Sequence, residues 1–189
     1  RVSYGCELAN MLGAILDCDA ESASSNDRII RTTYERLLST KPDFIIIGWS
    51  TWEREEWWHE DTQRYWQINA GGIGKDWPAD IQIQYRNYVA NIDIRNCELH
   101  AHNKIIQLHN DLSQAKIPHI FFNTFESFHQ IPHFDWDGCY INPYDPAYTF
   151  YNWLRNNGFK TVRPDSYHYG PDAHRAWANF LYQNYFQNV

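Results

Sequence analysis

An uninterrupted apolar run within Asp43-Phe-Ile-Ile-Ile-Gly48 constrains the fold of this chain more than any other segment. It lacks the alternation of a half-exposed strand, which is typical of a strand covered on both faces of a parallel sheet. A second run of this kind, at 118–123, follows a segment of helical periodicity. Strands that alternate with helices predict an α/β fold, three-layer α/β/α, with a mostly parallel, flavodoxin-like sheet.

Helical spacing and capping residues predict the other elements of a single domain over 1–189. The region from about 50 to 93 is rich in aromatic residues and poor in periodicity, so it is interpreted as an insertion or lid with a helix around 83–89. Predicted helices occupy 7–12, a segment capped by Ser24 or Ser25, 99–116, a segment opened by Asp145-Pro146 and one opened by Gly170-Pro171; short strands are predicted at 14–16 and 161–162.

Composition excludes several classes of function. The net charge is -7, and no cluster of Lys or Arg forms a stripe that could follow a phosphate backbone, so nucleic acid is not an expected partner. The apolar runs are far shorter than the roughly 20 residues that span a bilayer. The four cysteines are widely separated and lack a CxxC pair, which indicates reduced thiols and a cytoplasmic location. No cofactor is expected.

The loops after the carboxyl ends of the strands are where open α/β sheets bind ligands. The last of these loops holds Asp165 and His168, three residues apart and just before a helix. This spacing allows a carboxylate to orient one ring nitrogen while the other faces a pocket, as in the base half of a catalytic triad. The alternative is a turn-capping Asp165 beside an ordinary loop histidine.

The segment from Asp165 to Ala178, Asp-Ser-Tyr-His-Tyr-Gly-Pro-Asp-Ala-His-Arg-Ala-Trp-Ala, resembles the last conserved block of the SGNH/GDSL hydrolases. The segment 21–27 resembles the second block, with Ala23 where that family has an oxyanion-hole glycine. Gly48-Trp-Ser-Thr-Trp-Glu-Arg54 stands where the family has Gly-x-Asn-Asp, and the Asn is absent. Ser50, Thr51 or Arg54 is the replacement donor that this implies, although Arg54 could equally pair with a neighbouring glutamate.

The resemblance implies a serine nucleophile in a Gly-Asp-Ser-type turn, whereas the chain begins Arg1-Val-Ser-Tyr-Gly5. Ser3 is the nearby candidate. The alternative expectation is an N-terminally truncated fragment whose nucleophile and first strand lie upstream. The pattern Gly48-Trp-Ser with Arg54-Glu55 is also similar to SGNH-like proteins of marine phages and environmental sequences, which implies the host cytoplasm for a viral member. A missing strand would leave sheet edges that favour a homodimer.

The function implied by this resemblance is hydrolysis of a small-molecule or carbohydrate ester, specifically an O-acyl group on a carbohydrate. His168 would act as the base, Asp165 as its partner, and Ala23 as an oxyanion donor. The aromatic residues predicted to form the substrate wall are Trp49, Trp52, Trp57 and Tyr167. The alternative is a non-catalytic carbohydrate-binding or structural module on the same fold, with the aromatic segment serving only as a packed lid.

Histidines offer a different hypothesis, a metal site. His100 and His102 with His109, or the pair His129 and His133, have the ligand chemistry for it. Pro132 argues against a helix through the second pair, and neighbours two apart on a helix point to different sides. We therefore expect surface histidines and no metal.

Overall fold

The computed structural model describes residues 3–69 and 71–186, so Arg1 and Val2 of the N-terminal segment lie outside the described residues. The fold is mixed α/β. In chain order the elements are α1 (Tyr4–Leu12), α2 (Asn26–Ser39), β1 (Ile45–Trp49), β2 (Glu55–His59), β3 (Arg64–Ile68), α3 (Ala79–Asn91), α4 (Ile94–Gln114), β4 (His119–Asn123), a 3-10 turn (Pro146–Tyr148), α5 (Phe150–Asn156), α6 (Pro171–Leu181) and a π-helical turn (Tyr182–Phe186).

The two apolar runs of the sequence form the strands β1 and β4, which pair in parallel with Ile45 opposite His119. Every residue of β4 is buried. Its side chains alternate between two hydrophobic clusters, because successive residues of a strand point to opposite faces. Phe121 packs with Ile105 and other residues of α4, whereas Phe122 packs with Trp177 and other residues of α6. This burial on both faces accounts for the absence of alternation in the sequence.

The aromatic insertion contains the antiparallel hairpin β2–β3 and the helix α3. The predicted helix around 83–89 is confirmed within α3. The hairpin and helix share a small core of their own, in which Trp66 and Ile68 pack with Ile81 and Tyr85. Many of the aromatic rings between 50 and 93 are therefore used to pack these elements on one another.

Two short predicted strands are wrong. Residues 14–16 form a loop in which Ile15 is 99% exposed, since no neighbouring strand or core residue covers this segment. Residues 161–162 contribute one bridge, from Thr161 to Tyr169, and no strand. Two capping predictions are confirmed: Ser25 caps α2, and Pro171 is the first residue of α6. Asp145 caps the 3-10 turn, and Thr149 caps α5.

The expectation that all five histidines lie on the surface is wrong for His102 and His109, which are 3% and 2% exposed. Both lie on the apolar stripe of α4 that also carries Ala101, Ile105 and Leu108, because residues seven apart share a helix face. Burial lowers the pKa of both imidazoles below the ordinary value.

Among the described residues, no helix is long and apolar enough to cross a membrane.

Candidate active site

A cavity of about 340 Å³ lies at the carboxyl ends of the paired strands β1 and β4. This volume falls at the lower end of the range of small-molecule sites, which is about 300–1,000 Å³. The walls come from five loops or helix starts that are distant in sequence. The lining residues are Ser22, Ala23, Arg54, Thr124, Phe125, Phe150, Tyr167, His168, Tyr169 and His174.

The strand ends fix the floor of this cavity. Thr124 directly follows β4, and its hydroxyl donates to the carbonyl of Trp49, the last residue of β1, over 2.6 Å. The backbone N–H of Thr124 donates to the same carbonyl over 3.0 Å. These contacts continue the pairing of β1 and β4 by one residue. They hold the starts of the two following loops, at Ser50 and Thr124, next to each other.

Arg54 reaches the cavity from the loop between β1 and β2. One guanidinium nitrogen, Nη1, donates to the hydroxyl of Ser50 over 2.9 Å. The Nε atom is buried and has no hydrogen-bond partner within residues 3–69 and 71–186. A buried guanidinium donor without an acceptor favours a negatively charged or carbonyl-bearing ligand, since leaving such a donor unpaired is unfavourable.

Two histidines form the opposite wall. His168 is exposed, and its backbone is held by a hydrogen bond from Val162 N–H to its carbonyl over 2.8 Å. His174 lies in the first turn of α6, and its Nδ1 atom is buried without a partner in the described part of the chain. Burial, and secondarily the charge of His168, lowers the pKa of His174. Both histidines line the same cavity, and the lowered pKa of His174 disfavours its charged form.

Ala23 has a backbone conformation that is rare for alanine. Its φ of 65° lies in the left-handed region, where glycine is favoured. The sequence resemblance put Ala23 where the SGNH/GDSL hydrolases carry a glycine, and its geometry is the one that such a glycine would adopt without strain. The residue lines the cavity directly before the buried start of α2.

Replacing Ala23 with glycine is therefore expected to stabilise the protein by about 0.5 kcal/mol, because relief of a left-handed penalty of roughly 1–2 kcal/mol outweighs the added freedom of the unfolded chain. Ala23→Val is expected to destabilise it by more than about 1 kcal/mol, since a β-branched residue tolerates positive φ poorly. Urea unfolding measures both variants. Equal loss of stability in the two variants would contradict the assigned backbone conformation.

The structure brings His168, Ala23, Arg54 and Tyr167 together, and Ser50 reaches the cavity only through Arg54. Asp165 is exposed, and neither a hydrogen bond nor an ion pair joins it to His168 among the described residues. Ser3 does not line the cavity.

Ser3 instead caps α1, where its hydroxyl accepts the N–H of Cys6 over 3.3 Å. The next residue, Tyr4, stacks its ring on His174 with the centroids 6.3 Å apart. The start of α1 is thus linked to the cavity wall through one aromatic contact.

The predicted tryptophan wall is not part of this cavity. Trp49 is fully buried and packs edge-on against Phe121, so its ring belongs to the core. Trp52 stacks on Phe128, and Trp57 packs against Tyr88 in the insertion. Trp52 also lines a second cavity of about 250 Å³ together with His100 and Cys97. The aromatic residues that do line the first cavity are Phe125, Phe150, Tyr167 and Tyr169.

Sequence reasoning missed His174 and Thr124. His174 lies six residues after His168 within the segment that was compared with the hydrolases, and its place in the first turn of a helix beside that loop was the available signal. Thr124 directly follows a predicted strand, which is the position where ligand-binding residues are expected.

Comparison of the chain with protein-family models, with curated proteins and with solved structures found no match. The main features of the cavity are two histidines, an arginine and Ala23 with its positive φ, all lining one space.

Proposed function

We propose that this chain is an SGNH-type serine hydrolase that cleaves an ester, on a three-layer α/β/α fold of flavodoxin type. The observation that carries the proposal is the convergence of three segments, 21–27, 48–54 and 165–178, each of which contributes to the wall of one cavity. These are the segments whose residues resemble the family's blocks. The more specific proposal for the substrate is an O-acyl group on a carbohydrate, because aromatic rings and hydrogen-bond donors line the same space.

In the proposed reaction His168 removes the proton of a serine hydroxyl, whose oxygen attacks the ester carbonyl carbon. The Ala23 N–H and the Arg54 guanidinium stabilise the oxyanion of the tetrahedral intermediate. Collapse of the intermediate breaks the bond to the alcohol oxygen, which receives the proton from His168. Water, deprotonated by the same imidazole, then releases the acid and restores the serine.

Two serines are candidates for the nucleophile. Ser3 is supported by its place at the start of α1, next to the tyrosine that stacks on His174. Ser22 is supported by its place in the cavity wall beside Ala23, where its side chain is exposed. As an N-cap, Ser3 also stabilises α1 by an amount that is typically about 1 kcal/mol, so its replacement affects stability as well.

The second candidate function is a non-catalytic module that binds a carbohydrate. It is favoured by one observation, that within the described residues no direct hydrogen bond joins the exposed Asp165 to His168, because the base of a serine hydrolase is usually oriented by a carboxylate. The same cavity would then hold a ligand through Arg54 and the aromatic rings without turnover.

The test is hydrolysis of aryl acetates and release of acetate from O-acetylated oligosaccharides, combined with labelling by a fluorophosphonate. We expect turnover and a covalent label on one serine, identified by peptide mass spectrometry. Ser3→Ala and Ser22→Ala separate the candidates, since only one should abolish both labelling and turnover while circular dichroism stays unchanged. Saturable binding of the oligosaccharide without label or acetate release would favour the binding module instead.

A further inference from the structure

Three potential metal ligands meet on the core side of β4, away from the cavity's lining residues. His119 is the first residue of β4, His109 lies on the inner face of α4, and Cys139 precedes the residue that bridges to Phe121. The two histidines are 2% and 6% exposed, and the thiol is half-buried. Their ligand atoms all lie within 4.8 Å of one another.

The orientation of His119 is fixed by a backbone contact. Its Nδ1 atom is 2.9 Å from the carbonyl of Ile117, which can only accept, so Nδ1 carries the hydrogen. The lone pair of a neutral His119 is therefore on Nε2, and it points at Nδ1 of His109 over 2.9 Å. A backbone carbonyl that holds the distal ring nitrogen is the usual support of a metal-bound imidazole.

The spacing of the three atoms suits a small tetrahedral ion. Zn–N bonds of about 2.0–2.1 Å and a Zn–S bond of about 2.3 Å place tetrahedral ligand atoms roughly 3.3–3.6 Å apart. The observed spacing brackets this value, from 2.9 Å between the ring nitrogens to the 4.8 Å limit of the cluster. Side-chain movements of up to about 1 Å would complete the geometry, and the negative charges of Asp135 and Asp137 act on His109.

We propose that His109 Nδ1, His119 Nε2 and Cys139 Sγ bind one Zn²⁺ ion, with water in the fourth position. Two imidazoles and a thiolate select a borderline metal such as zinc over calcium or magnesium, which prefer oxygen ligands. On binding, the thiol loses its proton to solvent, and the proton on His109 moves from Nδ1 to Nε2. The ion would tie α4, β4 and the 134–140 segment together on one side of the parallel strands.

The experiment is titration of the chelator-treated full chain with Co²⁺, followed by competition with Zn²⁺. A tetrahedral Co²⁺ site with one cysteine gives visible d–d bands and a near-ultraviolet thiolate charge-transfer band. We expect both, at one ion per chain, and displacement by Zn²⁺. X-ray absorption of the zinc form should count one sulfur at about 2.3 Å.

Cys139→Ser should abolish the charge-transfer band and weaken Zn²⁺ binding by at least about 100-fold. Loss of a residue that only supports a metal ligand already weakens binding by up to about 100-fold, and Cys139 would be a ligand itself. Cys97→Ser is the matched control, because Cys97 is also half-buried but contacts Tyr88 instead. His119→Gln provides a second test, with circular dichroism as the check on folding. Absence of the band from the unmodified chain, or its survival in Cys139→Ser, would overturn the proposal and leave a hydrogen-bonded histidine pair.

Discussion

Replacement of His168 with alanine is expected to lower kcat/KM for the cleaved ester by about four to six orders of magnitude, from the upper range for loss of a general base to the roughly millionfold loss that follows removal of a triad histidine. The physical reason is that a serine hydroxyl is a weak nucleophile unless a positioned base removes its proton. His168 is the exposed imidazole of the cavity, and its backbone is fixed by the contact with Val162. The measurement is initial-rate hydrolysis of an aryl acetate.

His100→Ala is the matched control for this substitution, because His100 is also exposed but lines the other cavity, which shares only Arg54 with the first. Its kcat/KM should stay within about twofold of the parent, as expected for a surface change at a residue that does not line the first cavity. His174→Ala tests whether loss of any histidine in this cavity has the same effect as loss of His168, since the half-buried ring of His174 lines the same space. Equal losses in the His168 and His100 variants, or activity retained without His168, would contradict the assigned role.

The strands of the central sheet could be predicted from sequence because their environment leaves a local mark. Burial on both faces requires apolar side chains at successive positions, and this is what residues 44–47 and 120–122 have. The segment 14–16 has the same composition but is only three residues long, and pairing needs a neighbouring strand that no local pattern reveals. Its Ile15 is exposed instead.

The resemblance drew attention to Ala23 and His168, which line one cavity, but it did not determine their side-chain partners. Ala23 takes the left-handed conformation that glycine favours, although residue type alone would not predict a positive φ at an alanine. The spacing of Asp165 and His168 does not determine whether they touch, since a loop of three residues allows both contact and separation. The structure keeps the carboxylate in solvent.

Buried histidines were missed for a different reason. The stripe of α4 was visible as Ile105, Leu108 and Leu112, and His102 and His109 continue it. A polar residue on an apolar stripe is buried only when a partner satisfies it, and the partners lie far along the chain. His102 meets the hydroxyl of Tyr144 over 3.0 Å, and His109 meets His119.

Arg31→Met is expected to destabilise the protein by about 3 kcal/mol, because it leaves the carboxylate of Glu56 buried without its countercharge. The Glu56 side chain is 3% exposed, and both of its oxygens accept from the Arg31 guanidinium over 2.7 Å. This pair joins α2 to β2, and it raises the pKa of Arg31 still further. For a domain of this size the loss corresponds to a fall in Tm of roughly 6–12 °C.

Loss of this ion pair should also affect the candidate active site, since α2 begins shortly after Ala23 and β2 begins directly after Arg54. The pair therefore fixes two walls of the cavity relative to each other. Arg36→Met on the same helix is the control, because its ion pairs with Asp17 and Asp19 are exposed and should contribute little to stability. The double variant Arg31→Met, Glu56→Leu should recover most of the lost stability, as replacement of a buried pair by apolar groups often does. If Arg31→Met and Arg36→Met cost the same in urea unfolding, the buried pair does not hold the insertion to α2.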